Sequence, residues 1–436
     1  MGLVPFFIVL VLSLVVSYCT TMKKTDYFLA NRSLSWPMLL GTFVGAQIGG
    51  GFILGNTEEA FRHGIFGSMY GLGIAFGMLI LGLGFGAKLR RLQIATLPDI
   101  LKQRYGSSLF QQIASIVSIL SLAGGLLCQA IGMRKFLLAI GYESEITYFI
   151  SWGAVVLYTS FGGLLAVVWT DTIQALIMIA MLVIVFFGAL APQMGHILGE
   201  AVSMGTSFTA MPLHPLLFPL CFVFVQQDMA QRCFAARSTK DVSIGCIASA
   251  GVMVCIAAIP TFCGILGHSM GLSPENGAIF MQVMQLIASP WVTVMASSAV
   301  LLAIVSTVSA LLLALSSNVS NDFCGEGRKI TLIAGVFAML GPYLSDDIIG
   351  CLILSYEISV GALFVPILMA VLTKKERLPK EAAIGAALLG SCGIVLAQFP
   401  GMGFFSLTAP TILSPLGFLL GSMVHKRRAE RVSPCL

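Results

Sequence analysis

Two adjacent hydroxyls, Ser306 and Thr307, sit a turn after Ala303 in an otherwise apolar run, LLAIVSTVSALLLAL. Sodium is a hard cation that takes oxygen ligands, and a hydroxyl pair joined by freed backbone carbonyls suits it. The same hydroxyls can instead bond the carbonyl four residues back, or join neighbouring helices. Carbonyls become free where a helix unwinds, and the stretch Trp36–Asn56 invites unwinding with six glycines, three of them consecutive (Gly49, Gly50, Gly51). Each glycine costs a helix about 1 kcal/mol against alanine. In hydrocarbon, unwound backbone persists only where it lines a protein-walled cavity. The segment from Gly45 through Ile48, Gly49 and Gly50 is therefore a candidate place for an ion or a small solute, with the carbonyls near Gly45 and Ile48 facing the hydroxyl pair.

Other polar groups lie in the same apolar background. Asp171, in WTDTIQ, is either an ion way-station towards the cytoplasm or a helix-terminal acid favoured by the dipole. Glu357 lies further into a run, where a charge costs about 2.5–3.5 kcal/mol and must face a cavity or a partner. It suits a cationic or amino-bearing solute, a proton, or an ion pair. Gln47, beside the glycines, and Gln226 with Gln227 are further cavity-facing candidates. His63 reads as a solvated loop residue, the 21 methionines as packing or lipid-facing, and the 11 cysteines, without CxxC spacing, as small apolar residues rather than a disulfide frame or zinc site. No nucleophile–base pair or metal-ligand cluster points to an enzyme.

The elements that carry these residues must be membrane helices. Of 436 residues 57% are apolar and only 10% charged, with mean hydropathy +0.96; soluble domains carry about a quarter charged residues. Runs long enough for ~30 Å of hydrocarbon predict about thirteen transmembrane helices, at 3–20, 36–56, 66–87, 110–138, 146–161, 163–191, 208–227, 244–269, 291–317, 329–344, 348–372, 382–398 and 404–424. Residues 278–287 are too short to span and read as an external or re-entrant piece. The first run has its basic residues (Lys23, Lys24) after it, as a retained helix rather than a signal peptide would.

Charge placement fixes the orientation. With the N-terminus outside, Lys23, Lys24, Arg32, Lys88, Arg90, Arg91, Lys102, Arg104, Arg232, Arg237, Lys240, Arg328, Lys329, Lys374, Lys375, Arg377, Lys380 and the tail cations all face the cytoplasm. Only Arg62, Arg134 and Lys135 of the 24 basic residues lie outside. The predicted C-terminus is cytoplasmic.

The second to sixth and seventh to eleventh runs form two blocks of five with opposite orientation, an inverted repeat. The first block opens on the glycine-interrupted helix. The second opens on MPLHPLLFPLCFVFVQQD, whose Pro212, Pro215 and Pro219 predict a matching interruption. This divides the chain into a first helix and loop (1–35), repeat one (36–191), repeat two (208–372) and C-terminal helices with a tail (373–436).

DYFLANRSL, TLPDILKQRYG, FGGLLAVVWTDTIQ, QQDMAQRCFAARSTKD and LLAIVSTVSALLLALSSNVSNDF together resemble the sodium/solute symporter family, which includes sodium-coupled proline, pantothenate and sugar transporters. The resemblance implies an all-α polytopic fold with a leucine-transporter-type five-plus-five core and flanking helices. It implies a sodium site on Gly45, Ile48, Ala303, Ser306 and Thr307, with Asp171 receiving the ion on its way in and Phe222 near an inner gate. Gly45 stands where alanine is usual, and the polar Glu-Gln pair of the sugar-transporting branch is missing after Ile48. The resulting expectation is a sodium-coupled symporter in the cell membrane, with Na+ as coupling ion, importing a small organic solute that meets Gln47, Gly49, Gly50, Phe222, Gln226 and Glu357. Proton coupling on the same scaffold, or a solute sensor without transport, are the alternatives. Beyond solute, ion and lipid bilayer, no nucleic acid or obligate protein partner is expected.

Overall fold

In a chain this apolar the backbone must satisfy its own hydrogen bonds, and helices do so within each segment. The structure, a computed structural model, describes residues 3–21, 26–142, 144–204, 214–274, 278–344, 348–373, 377–397 and 404–432. Its regular structure is nearly all helical. In chain order the helices are α1 (Val4–Thr21), α2 (Trp36–Gln47), α3 (Asn56–His63), α4 (Met69–Ile80), α5 (Gly86–Arg91), α6 (Leu97–Tyr105), α7 (Ser108–Ala139), α8 (Glu145–Val185) and α9 (Met194–Ser203). They continue as α10 (His214–Val225), α11 (Gln227–Ala235), α12 (Thr239–Ser269), α13 (Ile279–Ile287), α14 (Pro290–Phe323), α15 (Gly327–Met339), α16 (Ile348–Leu372), α17 (Lys380–Ala397) and α18 (Phe404–Val432). π-helical turns at Gly51–Gly55, Leu81–Phe85 and Phe186–Leu190 join several of these end to end.

Among the described residues seven segments are long and apolar enough to cross a membrane. They do not map one-to-one onto the expected runs, because some runs join and others split. The runs at 146–161 and 163–191 lie in one helical stretch, Glu145–Ser203, that bends at Gly163 (φ 61°, ψ −163°). The run at 208–227 is divided by an interruption at Gln226. Residues 278–287 contain a short amphipathic helix, α13, with Ile279, Phe280, Val283 and Met284 buried. Pro212, Lys23, Lys24, Lys374 and Lys375 lie outside the described residues.

The bend in α8 shows how side-chain absence is used. Leu164 N, released from the helical ladder, donates to Tyr27 O at 2.8 Å. A Cβ at Gly163 would lie 2.7 Å from that same oxygen. Only glycine combines this positive φ with this approach.

At the centre stands α14, whose most apolar 18-residue window is wholly buried. It packs against α8, α7, α2 and α15. A helix apolar all round and enclosed by others is a core element even within a membrane, so its hydroxyls face protein. The starts and ends of the two interrupted helices are also joined. Leu34, just before α2, pairs with the chain just after α11 through Leu34 N to Ala235 O (3.1 Å) and Arg237 N to Leu34 O (2.8 Å).

Gly163→Ala should cost about 1–2 kcal/mol, the penalty of a left-handed L-residue, and lower the thermal unfolding midpoint of purified protein. Gly153→Ala, on the same helix with open space around it, should leave the midpoint unchanged or raise it.

Candidate functional site: a cavity between two interrupted helices

In an unbroken helix the carbonyls of Gly45, Ala46 and Gln47 would accept from residues 49, 50 and 51. Here α2 ends at Gln47, and Ile48 turns away with ψ 76° after donating the last helical bond to Val44 O (2.9 Å). The helix restarts from Gly49, whose carbonyl accepts from Phe52 N and Ile53 N, each at 3.1 Å. The orphaned carbonyls are taken up from α14. Ser306 Oγ donates to Gly45 O at 2.6 Å, and Thr307 Oγ1 contacts Ala46 O at 3.1 Å. Both hydroxyls also lie beside Ala303 O, at 3.1 and 3.0 Å. This close approach is available because Gly49 has no Cβ; one there would sit 2.5 Å from Thr307 Oγ1.

Of the five residues expected at a sodium site, Gly45, Ala303, Ser306 and Thr307 thus meet at hydrogen-bond distance. The fifth, Ile48, leaves the helical ladder, while the hydroxyl of Thr307 turns to Ala46. Carbonyl and hydroxyl oxygens brought together without a charged ligand fit a hard monovalent cation. Gly50 lies apart from these ligands. Its N–H reaches Gln129 Oε1 of α7 at 3.4 Å, and a Cβ on it would lie 3.0 Å from Ile304.

The second interruption is at Gln226 (φ −76°, ψ 115°), not at Pro215 or Pro219. Pro215 falls in the first turn of α10, where no donor is needed. Pro219 lies inside α10, and the chain stays helical to Val225 despite it. Gln226 Oε1 accepts from Gln47 Nε2 at 2.8 Å, which ties one break to the other.

Between them lies a narrow cavity of about 40 Å³, whose walls include Gln47, Gly49, Phe222, Gln226 and Thr307 together with Gln129, Tyr70 and Tyr356. None of its described lining residues is charged. Tyr70 and Tyr356 share a hydroxyl–hydroxyl bond of 2.6 Å, and Phe222 lies against Tyr356 with ring centroids 4.0 Å apart. Gln227 is directed elsewhere, its Oε1 accepting from Leu97 N at 2.8 Å. Glu357 is buried, 2% exposed, and follows Tyr356 on α16 without lining the cavity.

Asp171 is fully buried, and its partner is a residue that sequence places in a cytoplasmic loop. Arg232, 1% exposed, donates from Nη2 to Asp171 Oδ2 at 3.0 Å and from Nε to Thr42 Oγ1 at 2.7 Å. Thr42 Oγ1 donates to Asp171 Oδ2 at 2.7 Å, and Ser309 Oγ lies 3.1 Å from Oδ1. Ser309 Oγ also contacts Ser306 O (2.9 Å), so the ion pair adjoins the hydroxyl pair. Sequence reasoning missed Arg232 because a cation five residues past an apolar run reads as loop. It missed Gln129, Tyr70, Tyr356 and Thr42 because each comes from a different helix with no local signal.

The sodium:solute symporter family profile matches residues 27–331, which include both interruptions, Asp171, Arg232 and the hydroxyl pair. The chain belongs to that family. Membership makes sodium-coupled symport the activity of this multi-pass membrane protein, with Na+ as coupling ion. Among its relatives, the high-affinity proline transporter of Bacillus subtilis is 26% identical over 89% of this chain and 90% of its own. The sodium/pantothenate symporter of Escherichia coli is 25% identical over 91% and 90%. Among solved structures, that of a Na+-coupled sialic acid symporter in its substrate-bound outward-open state superposes with TM-score 0.81 at 18% identity, covering 97% of this chain and 98% of that one. The fold is accordingly of the leucine-transporter type.

Removing one partner of a buried ion pair costs about 3–5 kcal/mol, because the other charge is left uncompensated. In this symporter Asp171→Asn and Arg232→Met should each lower the thermal unfolding midpoint strongly. The double variant should be markedly more stable than the sum of the two losses, as read by a double-mutant cycle.

Proposed function

We propose that this symporter imports a small organic solute by alternating access. The solute occupies the cavity between the two interrupted helices, and sodium occupies the oxygens of Gly45, Ala303, Ser306 and Thr307, with Ile48 completing the set once its carbonyl turns inward. The observation that carries this reading is the pairing of Gln47 with Gln226 at 2.8 Å across the cavity, one residue from the carbonyl that meets Thr307. Ion and solute then act on one stretch of backbone.

In this reading the chain crosses the membrane thirteen times with its N-terminus outside and C-terminus in the cytoplasm. Two antiparallel five-helix repeats, 36–191 and 208–372, each begin with an interrupted helix, followed by C-terminal helices at 373–436. The bend at Gly163 supplies the turn between two crossings. Sodium draws the freed carbonyls of α2 towards α14 and sets the cavity walls for solute. Asp171, held by Arg232 in the present arrangement, lies on the inward side of the ion site and receives sodium as it leaves. Phe222 and Tyr356, packed together on the cavity wall, contact the solute along with Gln47, Gly49 and Gln226. Gly50 and Glu357 act behind that wall, by positioning the unwound backbone and α16.

The energetics suffice. One sodium ion moving down 100 mV releases ~2.3 kcal/mol, and a tenfold gradient adds ~1.4 kcal/mol. Together these support solute accumulation of about a few hundredfold.

The relatives' names make proline and pantothenate the first probes. Uptake of each into proteoliposomes should follow an inward sodium gradient and vanish when choline replaces sodium at fixed pH. Uptake driven equally well by a proton gradient in choline would favour proton coupling, and saturable binding without accumulation would favour a sensor. Thr307→Ala should raise the sodium concentration for half-maximal uptake about tenfold or more while changing the solute Km far less. An unaltered sodium dependence in that variant would count against the site.

A further inference from the structure

Three ionisable side chains meet beside the cavity, two acidic and one basic. Asp171, Asp228 and Arg232 are each at most 1% exposed. Arg232 directs Nη2 to the Asp171 carboxylate at 3.0 Å but reaches Asp228 only at its backbone oxygen, from Nη1 at 2.9 Å. The Asp228 carboxylate accepts from Gln226 Nε2 at 3.2 Å through Oδ2. Its other oxygen, Oδ1, is buried with no hydrogen-bond partner among the described residues. Asp228 lies in the first turn of α11, where the helix dipole offsets part of a charge but not a whole one. One guanidinium against two carboxylates leaves the cluster short of a cation.

That cluster grips the turn of α2 that carries the sodium donors. At one end Thr42 accepts from Arg232 at 2.7 Å; at the other Gln47 donates to Gln226 at 2.8 Å. Between these fixed points lie Gly45 and Ala46, whose carbonyls meet Ser306 and Thr307. We propose that Asp228 supplies the uncompensated negative charge that draws sodium to these neutral oxygens, and that Gln226 and Gln47 connect this charge to the solute cavity.

This role for Asp228 rests on the sodium site proposed above. All of that site's ligands are uncharged, and a guanidinium stands close by, on the carboxylate next to it. With Asp171 alone as its counter-charge, Arg232 would leave the surroundings neutral, and a bare cation entering low dielectric would meet only dipoles. Asp228 shifts that balance by one full charge. It touches neither the ion donors nor the cavity, so it is a positioning residue. Its bond to Gln226 makes the effect reciprocal: a solute that engages the Gln47–Gln226 bridge alters the support of the same carboxylate, and coupling between two ligands is mutual.

The test is sodium-dependent thermal stabilisation of the purified full chain without solute, titrating NaCl against choline chloride at constant ionic strength. Asp228→Asn should raise the half-maximal sodium concentration about tenfold or more, a loss of about 1.4 kcal/mol, and Asp228→Glu should restore most of it. A merely structural Asp228 predicts a lower midpoint at zero sodium with an unchanged half-maximal concentration, and that result overturns the proposal. If Asp228→Asn does not fold, Gln226→Glu reads the charge from the other side. A second carboxylate there should lower the half-maximal sodium concentration, and an unchanged or higher value overturns the proposal. A sodium-responsive wild type beside an unaffected Asp228→Asn sinks this inference alone; a wild type without any sodium response removes the sodium site and the inference with it.

Discussion

Unpaired backbone carbonyls in hydrocarbon are the constraint from which the rest of this structure follows. Each such group costs several kcal/mol unless something answers it. The chain unwinds α2 after Gln47 and so frees Gly45 O and Ala46 O. Everything nearby is arranged to meet them: hydroxyls at Ser306 and Thr307, no side chain at Gly49, and a helix, α14, buried deeply enough that its hydroxyls have no water to prefer. Oxygens gathered to solve a folding problem are then the oxygens proposed to hold sodium. The site is made by the break rather than added to it.

The breaks are legible in the sequence, while their exact chemistry is not. Three consecutive glycines announce weak helix in any context, and Ser306 with Thr307 stand out against an apolar run. The partners of these groups come from distant positions: Gly45 and Ser306 are 261 residues apart, Asp171 and Arg232 61. No local pattern encodes such a meeting. Family resemblance carries the residues proposed as ion donors, since it records positions that answer each other across the fold.

The two misjudged places share a cause. Proline, the strongest local breaker, predicts the interruption before α11, yet Pro215 falls in the first turn of α10, where a missing donor costs least, and the helix runs on through Pro219. The chain breaks instead at Gln226, whose amide is held by Gln47 on one side and Asp228 on the other. Arg232 was assigned to a loop because lysine and arginine outside apolar runs usually mark the cytoplasmic face. The ion pair with Asp171 overrides that rule. In both cases a tertiary polar contact outweighed a local propensity, and both contacts belong to the same buried network.

That network also constrains how the symporter can move. Leu34 pairs with the chain beyond α11, Arg232 binds Thr42, and Gln226 binds Gln47. These contacts fix α2 to α11 at the bottom, middle and top of their shared length. In the proposed cycle α2 and α11 shift as one body, and α14 is the surface they shift against. The only bonds described here that cross from α2 to α14 at the break are those of Ser306 and Thr307, and the oxygens in those bonds are the ones proposed to hold sodium. An ion bound there adds attraction at the sliding boundary itself, and its departure leaves two hydroxyl bonds to hold it. The gradient can thus act on the moving interface directly, with no separate device to transmit it.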